Sequence, residues 1–74
     1  MSNYNIGDMD DLGFQLCERD GQVELWHKTE TGSYTVILYE HTNRDEDQLL
    51  TKTVYDKSKA YSIFNRVADL FILP

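Results

Sequence analysis

With one cysteine, one proline and two histidines in 74 residues, the chain lacks the raw material of several protein classes. Cys17 alone can close no internal disulfide and build no cysteine-clustered zinc site. Its one basic neighbour in sequence is Arg19, so it reads as a small buried hydrophobe rather than a nucleophile. His27 and His41 belong to no metal-binding motif, and Asp45-Glu46-Asp47 lacks the glycine and spacing of a calcium loop. Neither a metal nor a cofactor is expected. No glycine-rich loop opens a helix to cradle phosphate, and no recognised pattern places a histidine against Ser33, Ser58 or Ser62. A chain this short also has little room for a deep pocket, so the expectation is a non-enzymatic protein with no catalytic residue. No run approaches the roughly 20 apolar residues of a membrane span. Met1 to Asp11 has neither the basic start nor the apolar stretch of a secretory signal, which points to the cytoplasm.

Positive charge is scarce too. Seven Lys and Arg stand against thirteen Asp and Glu, a net charge of −6. Residues 1–51 hold eleven acids and three bases, whereas residues 52–74 hold four bases and two acids. An acidic surface repels phosphate, which excludes direct binding to nucleic acid. It suits a protein that competes with nucleic acid for a basic partner, and it also serves plain solubility. Lys52, Lys57 and Lys59 either pair with acids on neighbouring strands or form a basic edge for a partner.

Apolar residues make up 41% and aromatics 12%, too rich for a disordered chain. At this length one domain is expected, burying about 60% of its unfolded surface. Residues 1–11 are polar and turn-like and read as a flexible lead-in to a single domain over 12–74. The Asp20-Gly21 pair suits a two-residue type I′ hairpin between strands Leu12–Glu18 and Gln22–Thr29. Glu30-Thr31-Gly32 suits a three-residue loop into Ser33–Thr42, where Tyr34 to Tyr39 are β-branched or aromatic but for Leu38. A charged loop, Asn43–Gln48, precedes a shorter strand at Leu49–Tyr55. Ala60, Ile63, Phe64, Val67, Leu70 and Phe71 then recur at helical spacing, with Asp56 as N-cap and Tyr55 and Ala60 as its hydrophobic staple. The expected fold is α+β: an antiparallel meander of three to four strands with one C-terminal helix on one face, ββββα.

Register counted from these turns places Phe14, Leu16, Val23, Leu25 and His27 on one face, joined by Ile37 and Tyr39. Cys17, Glu24, Trp26, Tyr34, Val36 and Leu38 fall on the other. One helix cannot cover both faces, so Trp26, Tyr34 and Val36 are expected in an apolar patch for a partner. Alternatively, Tyr4, Ile6 and Met9 fold over that patch.

The functional expectation is a small acidic protein that binds and inhibits or regulates a larger, nucleic-acid-handling protein. Anti-CRISPR and anti-restriction proteins of phages and mobile elements have this size and charge. Glu18, Asp20, Glu30, Asp45, Glu46 and Asp47 would face a basic groove, with Trp26 and Tyr34 as anchors. The alternative is a homodimeric assembly subunit that buries the uncovered sheet face against itself.

Overall fold

The computed structural model describes residues 4–39 and 48–70. Strands β1 (Phe14–Asp20), β2 (Val23–Lys28), β3 (Ser33–Tyr39) and β4 (Gln48–Val54) form one antiparallel sheet in the order β1-β2-β3-β4. Helix α1 (Lys57–Leu70) follows and packs across it, giving the expected ββββα architecture.

Both glycine turns form hairpins, but each lies one position from where the dipeptide pattern puts it. Asp20 pairs with Val23, so the first loop is Gly21-Gln22 rather than Asp20-Gly21. Gly21 has φ +61°, and no described residue other than glycine has positive φ. That sign pattern belongs to a type II′ turn, which wants glycine first, and not to type I′, which needs both central residues positive. The second loop has four residues, Thr29–Gly32, closed by the Gly32 N–H donating to the Lys28 carbonyl at 2.9 Å with Gly32 at φ +73°. Leu25 therefore faces Val36, and Val23 faces Leu38, where a three-residue loop would have set them against Ile37 and Tyr39.

A one-residue slip exchanges the faces of a strand. Tyr34, Val36 and Leu38 consequently lie under the helix, not away from it. In β1 the pairing skips from Leu16↔Trp26 to Glu18↔Leu25, leaving Cys17 as a bulge. Phe14 and Leu16 thereby share the Trp26 face, correcting their expected place beside Leu25.

The main core joins Val23, Leu25, Val36, Leu38 and Val54 to Ala60, Phe64, Val67 and Ala68, with Cys17, Tyr34, Tyr61 and Ile63 at its margin. The helical stripe is right in its centre and wrong at its end: Leu70 is exposed, and Phe71 lies outside the described residues. Asp56 caps the helix, its Oδ1 accepting the Ser58 N–H at 3.2 Å. Tyr55 is exposed and closes no staple over Ala60. Among the described residues Lys52, Lys57 and Lys59 form no ion pair, contrary to the pairing expected of them. Lys52 stands on the edge strand β4, and Lys57 and Lys59 open α1.

Candidate protein-binding surface

The face away from the helix is built around a charge. Arg19 lies opposite Glu24 across the β1–β2 hairpin, and Trp26 is two residues along the same face of β2. Glu24 has no exposed surface; its Oε2 accepts from Arg19 Nε at 3.0 Å and its Oε1 from Trp26 Nε1 at 3.0 Å. A buried carboxylate is tolerated when such charge-assisted donors replace water. Arg19 also donates through Nη2 to the Tyr4 carbonyl. The Tyr4 ring meets Trp26 edge-on, centroids 5.4 Å apart and planes at 86°.

This arrangement closes Trp26 away, and the register of β3 puts Tyr34 and Val36 on the helix-covered face instead. Trp26 is 5% exposed and Val36 0%, while Tyr34 is half-buried and stacks on His27 at 4.2 Å. None of the three stands free as an anchor. Tyr4 is the part of the lead-in that covers the face; Ile6 and Met9, expected to join it, point outward.

The acids are not gathered into one surface. Asp20 is exposed at the β1–β2 turn and Glu30 at the β2–β3 loop, at opposite ends of the six-residue β2, roughly 20 Å apart at about 3.3 Å per residue. Glu18 is half-buried on β1, facing Leu25. Asp45, Glu46 and Asp47 lie outside the described residues.

The segment before β1 holds the surface that composition did not reveal. Its backbone runs along the outer edge of β1: the Gly7 N–H donates to Leu16 O at 2.8 Å, Leu16 N–H to Asp8 O at 3.0 Å, and Asp10 N–H to Phe14 O at 2.8 Å. Two turns frame this short ladder. Asp8 Oδ2 accepts the Asn5 N–H at 3.0 Å, and Asp10 Oδ1 accepts from Leu12 and Phe14 at 2.9 and 2.8 Å. Short acids at such positions satisfy turn N–H groups locally. Between them Ile6, Met9 and Leu12 are 58%, 53% and 71% exposed. The available signal was an apolar residue at every third position within a polar, turn-rich stretch.

Chemistry at the remaining groups is subdued. Burial, with Glu18 adding to it, pushes the Cys17 thiol above its ordinary 9.0 despite an opposing pull from Lys57. Its Sγ lies 3.6 Å from the Gln15 carbonyl. Burial foremost, then the neighbouring Cys17, Glu18 and Tyr34, raise the Tyr61 hydroxyl. Among the described residues no three His, Cys, Asp or Glu side chains are grouped to hold a metal ion. No described helix is long and apolar enough to cross a membrane. No family model and no curated protein matches the chain, and no solved structure matches it.

Proposed function

We propose that the chain is a small, non-enzymatic protein-binding module that inhibits or regulates a larger protein through a basic, nucleic-acid-binding surface of that protein. The observation that supports this reading is the segregation of charge. Residues 4–39 carry seven acids against two bases, and the one internal pair, Arg19–Glu24, removes a member of each. Six acids then remain against Lys28 alone, with Asp8, Asp11, Asp20 and Glu30 exposed. Residues 48–70 carry four bases against two acids. Such an excess of acid draws a basic partner and speeds its encounter.

The test uses the intact chain as bait in lysate of its native host. The partner should elute as salt rises to roughly 0.5 M, where charges beyond a few ångströms are screened. Reversing Asp11, Asp20 and Glu30 to lysine should abolish capture while leaving the circular dichroism spectrum unchanged. Capture indifferent to both salt and charge reversal would overturn the reading. The homodimer alternative needed Trp26 bare on the free sheet face, and Trp26 is 5% exposed.

A further inference from the structure

We infer that Ile6, Met9 and Leu12, with Asp11 beside them, form the contact ridge of this module, and that its partner offers an apolar pocket set in a basic surface. This rests on the protein-binding reading above and names the place and the chemistry of the contact. Lone surface hydrophobics are ordinary, but here three fall within seven residues. Turn positions favour Gly, Asn, Asp, Ser and Pro for conformational reasons, which gives no cause for Ile6 and Leu12 to occupy them. Stability does not explain them either, since each leaves more than half its surface in water.

The backbone beneath them is fixed in advance. The ladder to Leu16 and Phe14, the Asp8 and Asp10 side-chain bonds and the Gln15 Nε2 donation to Gly7 O at 3.0 Å hold the ridge from below. The Tyr4 contacts with Arg19 and Trp26 hold its start. A segment held this way loses little conformational entropy on docking, so apolar contacts made there are retained as affinity. Charge selects the occupant. Asp8, Asp10 and Asp11 interleave with the three residues along the segment, and an acidic or uncharged apolar partner would leave their charge uncompensated. A second copy meeting ridge to ridge would oppose like charges, which excludes self-association at this site.

Two synthetic peptides of equal length and charge test this, one alternating Lys with Leu and the other Lys with Ser, each titrated into the isotope-labelled full chain. The Lys-Leu peptide should shift the backbone amides of residues 5–13 and bind about tenfold more tightly than Lys-Ser, the discrimination one good apolar contact provides. Alanine at Ile6, Met9 and Leu12 together should erase that preference without changing the melting temperature, since the three side chains are exposed. Equal binding of the two peptides, or shifts centred on Asp20 or Glu30, would overturn the ridge. So would a preference that survives the triple substitution. Native-partner capture separates the two proposals: salt-sensitive capture unaffected by the triple alanine variant refutes the ridge and leaves the module reading standing, whereas capture indifferent to both salt and the reversal of Asp11, Asp20 and Glu30 refutes the module reading itself.

Discussion

The two faces of this one sheet are stabilised by opposite means. Under α1, carbon meets carbon: Val23, Leu25, Val36 and Leu38 pack against Ala60, Phe64 and Val67. On the reverse, Trp26 and Leu16 are equally buried, but the central group is the carboxylate of Glu24 held by Arg19 and the Trp26 indole. The first kind of packing loses stability in proportion to the volume removed. The second fails abruptly, because removing one partner leaves the other buried and uncompensated. A small domain with both faces closed thus has one graded side and one all-or-none side.

Arg19→Ala is the sharpest way to break this comparison. It should cost about 3–5 kcal/mol in urea unfolding, comparable to the total stability of many domains of this size. Pairing Arg19→Met with Glu24→Leu should recover most of that loss, because two apolar groups need no compensation. A single substitution that costs less than about 1 kcal/mol would show that the reverse face behaves like the helix-covered one.

Tyr4→Ala should cost about 1 kcal/mol, from the lost edge-on ring contact and the cover it gives, and should shift Trp26 fluorescence toward that of a wetter indole. If stability and emission both stay unchanged, the lead-in does not close the face.

The smallest effect belongs to the margin of the helix-covered side. Cys17 and Tyr61 both have folded-state values raised above their ordinary 9.0 and 10.0. The unfolded chain therefore releases these protons first, and the stability they contribute is complete below pH 9 and declines above it. Cys17→Ala should remove the early part of that alkaline decline, read as melting temperature against pH from 8 to 11. An identical profile in the variant would refute the assignment.

The architecture was legible in the chain because its signals are local. Gly21 and Gly32 mark hairpins wherever the loop boundary falls, and the spacing of Ala60, Phe64 and Val67 survives small errors at the helix ends. The faces were not legible, because they depend on parity. Gly21 fits the first central position of type II′ as well as the second of type I′, and the sequence alone does not separate these. The choice moves Arg19 from beside Gln22 to beside Glu24. With that move the buried ion pair and the cover over Trp26 change together, while the place of Val36 turns on the length of the second loop. The outward ridge escaped notice for a different reason: a stretch rich in Asn, Asp and Gly reads as a lead-in until its hydrogen bonds to β1 are seen.

The bulge at Cys17 has a consequence for how this chain tolerates change in length. Before it, Phe14 and Leu16 point to the Trp26 face; after it, Arg19 points there again only because one residue has been left uncounted. The residue at position 17 is thus extra to the pairing: its side chain packs at the core margin, but the ladder does not count it. Deleting it would make Leu16 and Glu18 neighbours opposite Trp26 and Leu25 and keep Arg19 opposite Glu24, so the sheet should tolerate the loss. An insertion of one further residue within the same strand has no such slack, because it would turn the side chains on one side of it to the wrong face. For this protein the reading frame of β1 across its own sheet is as binding a constraint as the identity of any residue in it.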